Sequence, residues 1–78
     1  MSPLYPLNEL RPGQCALVQR LDTQGAMRRR LMDLGFLPGA AVQPLYRACF
    51  GDICAYLIGG AVIALRGCDA ATVQVHVG

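Results

Sequence analysis

The chain has 78 residues and a mass of 8.4 kDa, the size of a single domain, residues 1–78. Hydrophobic residues make up 54% and charged residues 15%, which excludes a disordered tail of the usual polar, highly charged kind. The net charge is +2, carried by seven arginines and no lysine, too small an excess for a surface that tracks nucleic-acid phosphates.

The longest strongly apolar stretch without a charge runs over residues 53–65. It is shorter than the roughly 20 residues a bilayer helix needs, and Gly59-Gly60 interrupts it. The opening Met1-Ser2-Pro3-Leu4-Tyr5-Pro6 has no basic segment followed by an apolar core, so no secretion signal is expected. These features predict a soluble cytoplasmic domain with no direct membrane insertion. A chain of this size buries only about 60% of its unfolded surface, and a high apolar fraction compensates for that.

The elements follow in chain order. Leu4, Leu7 and Leu10 recur every three positions, which predicts one short helical turn after Pro6. Pro12-Gly13 marks a chain reversal. Residues 14–20 suit a strand with Ala16 and Val18 on one side and Cys15 and Leu17 on the other. Both sides are apolar, so periodicity leaves open which one faces the core. Residues 24–34 form the one convincing helix, with Asp22 or Thr23 as the N-cap. Met27, Leu31 and Leu34 make its apolar stripe, and Arg29 and Asp33 are spaced for an ion pair. Gly35 fits the position after the helix C-cap, with Phe36 folding back on the last turn. Leu37-Pro38-Gly39 reads as a type II turn.

Beyond Gly39 the pattern is β. Ala41–Arg47 is a strand that Pro44 restricts to an edge or a bulge. Gly51-Asp52 is a hairpin turn, and Ile53–Ile58 and Ala61–Arg66 are strands joined at Gly59-Gly60. Gly67-Cys68-Asp69 is a short turn, and residues 72–77 close the chain with Val73, Val75 and Val77 on one face. Five short strands with one helix after the first predict a mainly β, small, partly open barrel, which leaves few edges for unwanted pairing.

The chemistry-bearing residues are few. No hydroxyl or thiol has a plausible base beyond the lone His76, and no glycine-rich phosphate loop appears, so enzymatic activity is unsupported. The acidic residues are scattered among turns and helix ends, their ordinary places. Cys15, Cys49, Cys54 and Cys68 contain no C-x-x-C pair, and in a reducing compartment they are not expected to form disulfides. The inventory points to a binding module.

The stretch Met27-Arg28-Arg29-Arg30-Leu31-Met32-Asp33-Leu34-Gly35-Phe36-Leu37-Pro38-Gly39-Ala40 resembles the signature of the FeoA family of small cytosolic proteins of bacterial ferrous iron uptake. Arg30, Leu31, Leu34, Gly35, Pro38 and Gly39 fit its usual Arg-Leu-x-x-Leu-Gly-x-x-Pro-Gly block. The resemblance extends to the opening leucine-rich turn, Gly13, Gly51-Asp52, Ala64-Leu65-Arg66, Asp69-Ala70 and Val73-x-Val75. It departs at Cys49-Phe50-Gly51-Asp52-Ile53-Cys54, where the family usually carries prolines near the Gly-Asp.

The resemblance implies an SH3-like five-stranded barrel that requires no cofactor. It further implies a non-enzymatic accessory role beside FeoB, the membrane permease with a cytosolic GTP-binding domain. The expected docking residues are Arg28 and Arg29, off the core stripe, with Phe36 and Leu37 as an apolar anchor; arginine and aromatic side chains are enriched at interface hot spots. A polyproline groove is poorly supported by five aromatic residues and no tryptophan. The alternative is a Zn²⁺- or Fe²⁺-binding barrel that dimerises through metal, or a metal-responsive regulatory domain. Its candidate ligands are Cys49, Asp52 and Cys54 at one hairpin, or Cys15 and His76 on the first and last strands. Either set is too small for a closed tetrahedral site. An exposed edge at Ala41–Arg47 is a further route to a homodimer.

Overall fold

The computed structural model describes residues 3–47 and 52–77. Alternating burial builds β2 (Ala16–Leu21) and β6 (Val73–Val77). Ala16 and Val18 face inward against Val73 and Val75, while Leu17 is exposed. The two strands pair antiparallel with Leu17 opposite His76 and Val18 opposite Val75. This settles the face of the first predicted strand: Cys15 and Leu17 lie outside.

Among the described residues six strands, β1 (Tyr5–Pro6), β2, β3 (Ala41–Arg47), β4 (Ile53–Ile58), β5 (Ala61–Arg66) and β6, form one antiparallel sheet in the order β1-β6-β2-β3-β4-β5. The sixth is β1, the two residues Tyr5–Pro6, which pair with Val75 and Gln74 of β6. The predicted helical turn follows it as a 3-10 turn over Leu7–Glu9, with Leu7 fully buried. β3 (Ala41–Arg47), β4 (Ile53–Ile58) and β5 (Ala61–Arg66) make a meander with the expected bounds. Residues 48–51, including the expected Gly51 turn position, lie outside the described residues.

Two bulges bend the sheet. Pairing slips between Val18 and Arg20 on β2 and between Pro44 and Tyr46 on β3. Each inserts one extra residue and increases the local twist, which curls an open sheet towards a barrel. Pro44 sits buried beside its bulge. β3 is an interior strand between β2 and β4, however, so the expected edge at Ala41–Arg47 is corrected: the long edge strand is β5.

α1 (Gly25–Asp33) crosses between β2 and β3, with Leu31 in the core and Met27 and Leu34 packed against it. Its N-cap is Gln24, without a side-chain capping bond, rather than Asp22 or Thr23. Both of those side chains are engaged elsewhere. Thr23 Oγ1 is 2.5 Å from Thr72 Oγ1, and Asp22 accepts from Arg20 Nε at 3.0 Å. Among the described residues the ion pairs are Arg20–Asp22 and Arg66–Asp69, so the expected Arg29–Asp33 pair is not formed. The turn expected at Gly67 tightens into a four-residue helix, α2 (Gly67–Ala70), which packs on β5 and the 3-10 turn.

Candidate functional site

The stretch after α1 is built by the backbone. The Gly35 N–H donates to Met32 O at 3.1 Å, and the Phe36 N–H donates to Leu31 O at 3.0 Å. This is the paired hydrogen bonding of a Schellman cap, which needs a left-handed residue after the C-cap; Gly35 has φ +108. Leu31 and Phe36, joined by the bond that spans more of the chain, are both in the core. Next, the Ala40 N–H donates to Leu37 O at 2.9 Å, and Gly39 has φ +92, as a type II turn with Pro38 at its first corner requires. This turn is fastened to β2: the Gly39 N–H donates to Val18 O at 2.7 Å, and the Val18 N–H donates to Ala40 O at 2.9 Å.

Of the residues expected to dock a partner, Arg28 and Arg29 are exposed on α1. Arg28 Nη1 lies 3.3 Å from Met32 Sδ, so the side chain runs along the helix rather than into an ion pair. Leu37 is 44% exposed at the corner of the turn. Phe36 is 0% exposed and belongs to the core. The expectation that it anchors a partner is therefore corrected. The bond that ends the helix turns its ring inward, and burial of an aromatic side chain there outweighs any surface role.

The predicted metal ligands separate. Cys49 lies outside the described residues. Cys54 is buried, pairs in register with Leu65, and its Sγ is 3.7 Å from Ala55 O; it packs as a small hydrophobe. The Asp52 carboxylate lies over Gly67, where it occupies the space a Cβ would need, and the Gly67 N–H donates to Asp52 O at 2.6 Å. Asp52 thus secures the start of α2, and Cys54 turns away from it into the core.

Cys15 and His76 share the outer face of β2 and β6. Leu17 stands directly opposite His76, which puts Cys15 on the diagonal, about 7–8 Å away across the strands. That is two ligands at most. Among the described residues no group of three or more His, Cys, Asp or Glu side chains is placed to hold a metal ion.

Sequence reasoning missed a groove between α1 and β5. It measures about 440 Å³ and has Met27, Arg30 and Leu34 on one wall and residues 62–66 of β5 on the other. Arg30 is exposed and makes no ion pair among the described residues. The signal available in the sequence was the spacing Met27, Arg30, Leu34, which puts the third arginine on a different side of the helix from Arg28.

A partly open antiparallel barrel with exposed arginines, an open strand edge and a groove lined by apolar and charged side chains defines a small domain of the SH3-like kind. The sequence model of the FeoA domain family matches residues 5–77, and the chain belongs to that family. A fusion protein of Fe(2+) transport protein A and Fe(2+) transporter FeoB from Porphyromonas gingivalis is 31% identical over 70 residues, 90% of this chain; the chain spans 8% of that relative's length. The solution structure of the FeoA protein from Chlorobium tepidum superposes with a TM-score of 0.85 at 35% identity, covering 99% of this chain and 70% of the other. A crystal structure of Stenotrophomonas maltophilia FeoA, a prokaryotic SH3 domain protein complexed with zinc, gives a TM-score of 0.79 at 30% identity, covering 88% and 86%. The family is a small domain associated with ferrous iron transport. No helix among the described residues is long and apolar enough to cross a membrane.

Proposed function

We propose that this protein is a non-enzymatic, cytoplasmic accessory of ferrous iron uptake that docks on the cytosolic GTP-binding domain of a FeoB-type permease and regulates or assembles it. The observation that carries this reading is the relative in which an FeoA segment and FeoB are joined in one chain. Covalent joining raises the effective concentration of one module at the other, which is useful only where the two act at the same place. The structure supports docking with a surface rather than a reaction centre: Arg28, Arg29 and Leu37 are exposed together along α1 and the following turn. Two guanidinium groups that make no ion pair among the described residues suit an acidic face on the partner.

The test is co-purification with the full FeoB permease, followed by its GTPase rate with and without this protein. Arg28→Glu combined with Arg29→Glu is expected to abolish co-purification while leaving the far-ultraviolet circular dichroism unchanged. Undiminished binding by a folded double variant would remove this face from the reading.

A further inference from the structure

The two ends of the sheet are not alike. β1 is two residues long and contains Pro6, so it offers almost nothing to a passing strand. β5 is six residues long, has no proline, and pairs with β4 in unbroken register from Ile58–Ala61 to Ile53–Arg66. The two-residue turn at Gly59-Gly60 makes Ile58 and Ala61 a hydrogen-bonded pair. Alternation then aims the main-chain groups of Ala61, Ile63 and Leu65 at β4 and those of Val62, Ala64 and Arg66 away from it. No strand among the described residues receives them. Natural edge strands of this length are normally blunted by a bulge, a proline, a charged side chain or a covering element. Here the charge of Arg66 and the packing of α2 stand at the C-terminal end of β5, the strand has neither bulge nor proline, and Val62 is 56% exposed on it.

The open side of β5 is also one wall of the α1 groove. An added strand would therefore gain main-chain bonds on one flank and apolar contact with Met27 and Leu34 on the other. The groove's charge selects the occupant. Arg30 is unpaired among the described residues, Arg66 reaches only Asp69 at 3.4 Å, and Asp69 is the single acid in the lining. The lining carries two positive charges against one negative. A second copy of β5 would bring another Arg66 into it, whereas a carboxylate would be paired by Arg30.

Resting on the partner reading above, we infer that β5 and α1 take an extended, apolar segment of the partner carrying an Asp or Glu. That segment is added as a seventh strand beside β5, with its carboxylate on Arg30. Main-chain bonds supply affinity in this mode, and the flanking side chains supply specificity.

Hydrogen–deuterium exchange of the full chain, alone and with the full FeoB permease, tests this. Slowed exchange in the fragment spanning residues 61–66 is expected on complex formation. Arg30→Glu is expected to weaken binding at least about tenfold, a change of about 1.4 kcal/mol. The distant Arg11→Glu should leave affinity within about twofold. Val62→Pro removes an outward N–H without removing a bond to β4, and it should abolish binding in a folded variant. Binding without new protection in residues 61–66 would overturn the inference and leave the partner reading standing. Failure of the wild-type chain to bind the permease would overturn both. A chain that dimerises alone, with the same protection, would assign the edge to a second copy instead.

Discussion

Replacing Gly35 by alanine isolates the backbone requirement at the end of α1. Gly35 has φ +108, and the nearest atom to a Cβ built there is Ile58 Cγ1 at 3.9 Å, an ordinary contact. Gly35→Ala therefore adds no collision, and the cost is that of holding an L-residue at positive φ, about 1–2 kcal/mol. A chain of 78 residues has about 4–12 kcal/mol of total stability, so this is a sizeable fraction. Urea unfolding followed by circular dichroism measures it. With a slope of about 1 kcal/mol/M for so small a protein, the midpoint should fall by about 1–2 M. Asparagine tolerates left-handed conformations better, so Gly35→Asn should lose less than Gly35→Ala. A loss below about 0.5 kcal/mol would refute the reasoning, because the two cap bonds would then survive without a left-handed residue between them. A loss above about 4 kcal/mol would also refute it, since it would require a collision that the spacing around Gly35 excludes.

The remaining predictions concern residues whose roles the structure separates. Phe36→Ala should cost about 3–5 kcal/mol, while Leu37→Ala should stay within about 0.5 kcal/mol; thermal melts compare them, and similar losses would contradict their difference in burial. One chain should bind Zn²⁺ only weakly, because Cys15 and His76 supply two ligands where a closed site needs four. Calorimetry under reducing conditions checks this, and a one-to-one complex of submicromolar Kd would refute it.

What the sequence made legible is what depends on neighbours along the chain. The Schellman cap, the Leu37–Ala40 turn and the β4–β5 hairpin each close within a few residues, and each carries glycine where φ must be positive. What it hid depends on residues far apart. β1 is a strand only because Tyr5 meets Val75 at the other end of the chain, and two residues have no periodicity of their own. Thr23 is a reasonable N-cap until Thr72 takes its hydroxyl. Pro44 correctly signalled an irregularity, but a bulge inside a sheet and an edge strand satisfy the same missing N–H, and only the strand order separates them.

The same distinction sorts the signature block. Leu31 and Leu34 pack α1 on the core; Gly35 caps it; Pro38 and Gly39 form the turn whose backbone is tied to Val18. Five of its six residues are thus accounted for by the fold, although Leu34 also lines the groove, and replacing any of them changes structure together with whatever it does to binding. Arg30 is different. Its carbonyl serves the helix, accepting from the Leu34 N–H at 3.0 Å, but any residue there would supply that bond. Its guanidinium is exposed on the wall of the groove and makes no internal ion pair among the described residues. A charge reversal at Arg30 therefore tests function with little change in stability, which no other position in the block allows.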